Sequence, residues 1–152
     1  MFNNLSEEKK EEKFNGLINF ASKINNKSLK NACLNILNDY KEELFCKAAG
    51  HDGIEMKKYT KTHQCFDGGL LDHIYNVTKI AYDVGRNYEK QVDLDLILFG
   101  AILHDIGKTK IFDNWNEKSE IKSNLNYSYL LVDHVYICLL YTSDAADEAR
   151  SV

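Results

Sequence analysis

Apolar side chains recur along this chain at intervals of three and four, with charged residues between them. Over residues 5–24 the stripe is Phe14, Leu17, Ile18, Phe20, Ala21 and Ile24, and this spacing predicts an amphipathic helix. Glu7, Glu8, Glu11 and Glu12 fall toward its N-terminal end, where the helix dipole favours negative charge. A second helix is predicted over 28–48, with Ser28 as its N-cap and Leu29, Ala32, Cys33, Ile36, Leu37, Tyr40, Leu44 and Phe45 on one face. Gly50-His51-Asp52-Gly53 breaks it. Residues 54–67 are polar and aromatic without a clean period and predict a loop or a short helical turn. Gly68-Gly69 then opens a third helix that runs to about residue 88 on Leu70, Leu71, Ile74, Val77, Ile80, Ala81 and Val84.

Asp93 is placed to cap a fourth helix, from 94 to about 106. It is apolar on nearly all sides, which predicts the buried central helix of the fold. Gly107 is placed to end it in a left-handed conformation, and Lys108 and Lys110 follow its negative end. Residues 109–125 predict a polar loop, and a fifth helix starts at 127 or 128 and carries Leu130, Leu131, His134, Val135, Ile137 and Cys138. Strand-like alternation is sustained nowhere. The predicted class is all-α, a bundle of about five or more helices.

Composition narrows the setting. The 152 residues predict one domain, long enough to bury a core without help from disulfides. Proline is absent, although average usage of about 5% would supply roughly seven, and this suits long uninterrupted helices. A formal net charge of −4 argues against a generally basic nucleic-acid binder and leaves a local basic groove open. The longest apolar run, 96–103, is far short of the roughly 20 residues of a membrane span. MFNNLSEEKKEEK holds no apolar stretch of a signal peptide. The four cysteines, Cys33, Cys46, Cys65 and Cys138, show no C-x-x-C spacing and read as reduced thiols of a cytoplasmic protein.

The candidate chemistry sits at the end of the most apolar helix, in His104-Asp105. A buried carboxylate must be paired or bound to a cation. His73 lies one helix earlier, in GGLLDHIYNV, and His134 one helix later, in LLVDHVYI. A single interior histidine is more often a satisfied core residue, and a single His-Asp dipeptide is weak evidence. The set carries more. Three packed helices can aim two or three imidazoles and one carboxylate at a common interior point. That donor set suits Mn²⁺, Fe²⁺, Co²⁺, Ni²⁺ or Zn²⁺, and the lack of thiolates in it argues against structural zinc. Such an ion acidifies a bound water and polarises a phosphoryl oxygen. Lys108, just beyond the pair, is placed to meet a substrate phosphate.

His73, His104 and Asp105 resemble the H…HD pattern of the HD-domain metal-dependent phosphohydrolases. The segments HQCFDGGLLDHIYNVTKIA (63–81), FGAILHDIGKTKIF (99–112) and YSYLLVDHVYI (127–137) are similar to the HD domain of YhaM-type 3′→5′ exoribonucleases, as is the lead-in at 24–45. The resemblance covers roughly residues 17–137. It implies an all-α HD bundle over 1–137, with 1–50 as helical lead-in and 63–137 as the motif-bearing core. It implies divalent-metal hydrolysis of phosphodiesters or phosphomonoesters, on nucleic acid 3′ ends or nucleotides. His73, His104 and Asp105 become metal ligands, with Mn²⁺ foremost and Mg²⁺ added to the ions above. Asp105 and Lys108 become the catalytic pair. His134 matches a further family histidine, as a second-metal or substrate-phosphate position. His63 matches the first histidine of a pair ahead of GGLL and takes a substrate-binding role; Gln64 stands where the second would be. The branch usually carries an N-terminal OB-fold for single strands, and the residues before 17 do not contain one.

The end of the chain, CLLYTSDAADEARSV, resembles translated sequencing-adapter readthrough. The expectation is a non-native tail over 138–152 and a C-terminally truncated HD bundle that lacks the family's final ligating Asp, with nothing in the sequence to assign that role to Asp144 or Asp147. Two other readings stay beside the hydrolase: a non-catalytic HD module that binds a nucleotide or a metal, and an inactive truncated fragment. Among the remaining marks, Cys33 and Cys46 read as core residues. Cys65 has no general base in view. Trp115 reads as cover for a core edge and His51 as turn chemistry.

Overall fold

The computed structural model describes residues 4–49, 64 and 66–110. Among them all regular structure is helical, with no β-strand, as the stripes predict. Helix α1 spans Glu7–Ser22, with Ser6 as N-cap accepting from the Lys9 N–H and Glu7 and Glu8 in the first turn. Its buried face is Phe14, Leu17 and Ala21, and Ile24 just past its end is fully buried too. Lys10 extends that face: its ammonium bonds Glu7 and Asp67, each at 2.8 Å, and so ties α1 to the turn ahead of the fourth helix.

The predicted helix over 28–48 is two helices. Helix α2 spans Lys27–Asp39 and α3 spans Lys41–Cys46, separated at Tyr40, whose φ of −109° and ψ of 16° leave the helical region. The apolar stripe runs through the break because the Leu44 N–H still reaches the Tyr40 carbonyl, so spacing alone could not reveal it. The N-cap is Asn26, not Ser28: its side chain accepts from the Ser28 and Leu29 N–H groups, and Ser28 lies inside the helix.

Helix α4, Gly69–Gly85, lies at the centre, against α1, α3 and the last helix, and continues as one 3₁₀ turn over Arg86–Tyr88. It buries Leu70, Leu71, Ile74 and Thr78. Its start is pinned by the Leu70 N–H, which donates to the Lys47 carbonyl at 2.9 Å. Gly16 of α1 faces the ring of Tyr75 so closely that a Cβ there would strike it.

Helix α5 spans Leu94–Leu103 under the predicted Asp93 cap. The Asp95 carboxylate accepts from the Asn25 and Asn26 N–H groups at 2.9 and 2.8 Å, joining α5 to the turn between α1 and α2. Leu98, Phe99, Ile102 and Leu103 are buried, but Leu96 is 57% exposed, so α5 is central on one face rather than on all. It also ends earlier than predicted. His104 caps it with right-handed backbone, and the chain tightens into a 3₁₀ helix over Ile106–Lys110. Gly107 is not left-handed; among the described residues positive φ occurs at Gln64 and Gly68. A 3₁₀ continuation keeps φ negative and has no need of a glycine.

The predicted fifth helix with His134 lies outside the described residues, as do His51, His63, Cys65, Trp115, Cys138 and the stretch 138–152. Among the described residues no helix is long and apolar enough to cross a membrane.

Candidate metal centre

His104 caps α5 and Asp105 follows it on the turn into the 3₁₀ helix, and their tips meet: His104 Nε2 and Asp105 Oδ2 stand 3.4 Å apart. From the second turn of α4, His73 brings its Nε2 to 3.1 Å from the same Asp105 oxygen and to 3.2 Å from His104 Nε2. The predicted pairing of residues 31 apart in sequence is thus a contact between neighbouring helices. Asp105 is buried, its side chain 9% exposed, and His73 and His104 are partly covered.

The opposite ring nitrogens are also bound. His104 Nδ1 lies 2.8 Å from the Ala101 carbonyl, and His73 Nδ1 lies 3.0 Å from Gln64 Oε1. Both partners are oxygens that only accept, so each Nδ1 carries a proton and each ring turns its Nε2 toward Asp105. These three donor atoms pass a direct test as a divalent cation site. Donors about 2.0–2.2 Å from one ion stand roughly 3.0–3.5 Å apart at right-angle to tetrahedral ligand angles. The observed separations of 3.1, 3.2 and 3.4 Å fall in that range. Two imidazoles, one carboxylate and no thiolate suit a catalytic ion with open positions rather than a closed structural zinc. His73, His104 and Asp105 could hold a divalent metal ion.

Lys108, on the turn after Asp105, donates to Asp105 Oδ2 at 2.6 Å, and its side chain is 12% exposed. The sequence placed it beyond the pair as a phosphate contact; the structure places its ammonium beside the donor triangle.

Gln64 is the residue that sequence reasoning passed over. It stood only as a departure from the family's histidine pair. Its amide NH₂ donates to Asp72 Oδ2 at 2.9 Å while its oxygen faces His73. Asp72 Oδ1 in turn meets Lys13 Nζ of α1 at 2.9 Å. Burial alone would raise the Asp72 carboxyl, but the Lys13 ammonium and the Gln64 amide outweigh it and hold it below the usual carboxylate range. The signal that could have flagged Gln64 is its place four residues ahead of a glycine pair that builds a tight turn.

An HD domain family model matches residues 70–150 of the chain. The 3′-5′ exoribonuclease YhaM of Bacillus licheniformis is 30% identical over 108 residues, 68% of this chain and 31% of that protein. YhaM of Bacillus subtilis is 32% identical over 95 residues, 60% of this chain and 27% of that protein. The dihydroneopterin 2′,3′-cyclic phosphate phosphodiesterase of Methanocaldococcus jannaschii is 32% identical over 104 residues, 60% of this chain and 39% of that protein. The chain thus spans about a third of the length of these relatives. No solved structure is significantly similar to it.

Proposed function

Because this chain belongs to the HD domain family, we propose that it is a divalent-metal-dependent phosphohydrolase that cleaves phosphodiester bonds of nucleic acid 3′ ends or of nucleotides. The observation that carries this reading is the convergence of His73 Nε2, His104 Nε2 and Asp105 Oδ2 within hydrogen-bond range of one another, with both Nδ1 atoms tied to acceptors. The relatives favour a phosphodiester: one is an exoribonuclease, another a 2′,3′-cyclic phosphate phosphodiesterase. The exoribonuclease reading is the more specific one, and the chain spans about a third of the relatives' length.

In this proposal His73, His104 and Asp105 hold the ion, with Mn²⁺ the first choice among Mn²⁺, Mg²⁺, Fe²⁺, Co²⁺, Ni²⁺ and Zn²⁺. When bound, such an ion supplies a water acidified to near neutral pKa and a Lewis acid for a phosphoryl oxygen. The protein's own part is positional and electrostatic. Asp105 sets a fixed negative charge in a buried place, and the two imidazoles are locked in rotation and tautomer before anything binds. Lys108 brings an ammonium next to the carboxylate, where it can meet the negative charge of a phosphate and steady it as the bond breaks. His63 and His134 keep substrate-side roles on sequence grounds, His134 with a second-metal role beside it. The cysteine spacing, without a C-x-x-C pair, supports a cytoplasmic setting.

The test is Mn²⁺ binding measured by calorimetry, together with hydrolysis of 3′-labelled single-stranded RNA and of a 2′,3′-cyclic nucleotide. The expected result is Mn²⁺ binding and hydrolysis that both vanish in Asp105→Ala, with the helical circular-dichroism signal intact. Hydrolysis unchanged by the substitution sinks the assignment. Binding without turnover of either substrate would instead favour a non-catalytic HD module.

A further inference from the structure

We infer that Gln64 is a positioning residue: its amide, oriented by the Lys13–Asp72 pair, holds His73 in the tautomer whose Nε2 faces Asp105. The inference deepens the proposed function and rests on His73 being a ligand in that reading.

The two histidines are locked by different means. His104 takes its lock from the Ala101 carbonyl, a backbone group of its own helix that no substitution removes. His73 takes its lock from a side chain nine positions earlier, outside its helix. A glutamine amide can turn either end toward the ring, and the two ends would select opposite tautomers. The choice is made by Asp72. Its Oδ2 accepts from the Gln64 amide nitrogen at 2.9 Å, which leaves Oε1 as the atom facing His73 Nδ1. The Lys13 ammonium keeps Asp72 in place through Oδ1 at 2.9 Å, and the same ammonium lies over the Tyr75 ring, 4.6 Å from its centroid. A chain of contacts thus runs from α1 through Asp72 and Gln64 to the donor triangle.

The backbone around Gln64 is built to keep it there. Gln64 has a φ of 45°, left-handed backbone that costs a non-glycine residue about 1–2 kcal/mol. Its carbonyl accepts from the Ala49 N–H at 3.2 Å. The same carbonyl packs against Gly69 so closely that a Cβ at Gly69 would run into it. Gly68, at φ 77°, completes the turn. A strained residue held from three sides, with its side chain spanning a ligand candidate and a charged pair, has a role beyond turn-making.

The experiment reads the ring directly and does not depend on turnover. Proton–nitrogen NMR of the His73 ring is recorded on the metal-free protein at mildly alkaline pH, for wild type, Gln64→Met and Lys13→Met. Mn²⁺ affinity is measured on the same samples. Wild type is expected to show the Nδ1–H tautomer. Gln64→Met, similar in length but without an acceptor, is expected to show mixed tautomers and to lose about 10–100-fold in Mn²⁺ affinity. Lys13→Met is expected to move both readouts the same way by less, and it keeps the test decisive if Gln64→Met fails to fold. Wild-type tautomer in the folded Gln64→Met protein overturns the inference, whatever the affinity does; so does wild-type behaviour of Lys13→Met, for the relay. Failure of wild type to bind Mn²⁺ strikes the proposed function instead, and the tautomer signal still decides this inference alone.

Discussion

The imidazoles of His73 and His104 meet through their Nε2 atoms at 3.2 Å, with Asp105 Oδ2 closing the triangle. With the Nδ1 atoms directed at Gln64 Oε1 and the Ala101 carbonyl, both Nε2 atoms and the carboxylate are aimed at one point. The Lys108 ammonium, 2.6 Å from Asp105 Oδ2, offsets part of the repulsion among these groups, and a metal ion would offset the rest. The cost of gathering them is met in folding, so that little reorganisation is left for binding.

A cation that joins them should therefore stabilise the fold. At a hundredfold excess over its Kd, Mn²⁺ is expected to add about 2.7 kcal/mol, or about 5–10 °C in Tm. EDTA should reverse the shift. His73→Ala and His104→Ala should each remove most of it, and the double variant should lose scarcely more than either single one, because both rings serve one ion. Additive losses in thermal melts would mean that the two rings do not share a ligand.

Lys108 separates charge recognition from metal holding. Its ammonium sits 2.6 Å from Asp105 Oδ2, where it competes with any cation for that oxygen. Lys108→Met is expected to keep or tighten Mn²⁺ binding while lowering turnover by about 10²-fold. Calorimetry and steady-state kinetics on the same preparation check the split. A parallel fall in both would make Lys108 a support for Asp105 and nothing more.

Much of this arrangement is legible from the chain. The apolar stripes place α1, α4 and α5, and the Asp93 cap is where its spacing puts it. His73, His104 and Asp105 stand out because a polar pair at the end of an apolar helix needs a reason. The errors share a cause. The stripe through Ile36, Leu37, Tyr40 and Leu44 keeps its period across a break at Tyr40, since helix periodicity reports which face is buried and not whether the axis is continuous. Asn26 and Ser28 are both good caps, and only the fold chooses between them. Gly107 follows an α-helix that had already ended in a 3₁₀ turn. Gln64 acts through residues on two other elements, and no local pattern encodes such a contact.

Lys10 should make stability fall at alkaline pH. Burial alone would lower its pKa, but hydrogen bonds to Asp67 and Glu7 outweigh burial and raise it above the ordinary 10.5. A cation with a raised folded-state pKa contributes its stability in full below the unfolded value and loses it as pH rises through the folded one. The difference in urea stability between wild type and Lys10→Met should be about 2 kcal/mol at neutral pH. It should stay level to about pH 10 and shrink above it. Most of it comes from Asp67, because the Glu7 side chain is 78% exposed. A difference that does not change up to strongly alkaline pH would remove the ion pair from the account.

The glycines of the site turn and of α5 make a paired test of how the donor triangle is held. A Cβ at Gly69 would collide with the Gln64 carbonyl, which is backbone and cannot swing aside. Gly69→Ala must therefore displace Gln64, and with it the acceptor on His73 Nδ1. The expected result is a loss of about 10-fold or more in Mn²⁺ affinity, along with a clear loss of stability. Gly100, exposed on α5 only four residues before His104, has nothing within 4 Å of such a Cβ. There the added methyl restricts the unfolded chain and suits the helix, so Gly100→Ala should gain about 0.5–1 kcal/mol and leave Mn²⁺ affinity at the wild-type value. Proximity in sequence to the HD pair would predict the reverse ranking, since Gly100 lies on the ligand helix itself. Calorimetry and urea melts on the two variants decide between them: if Gly69→Ala binds Mn²⁺ as wild type does, the turn at 64–69 does not set the geometry of the site.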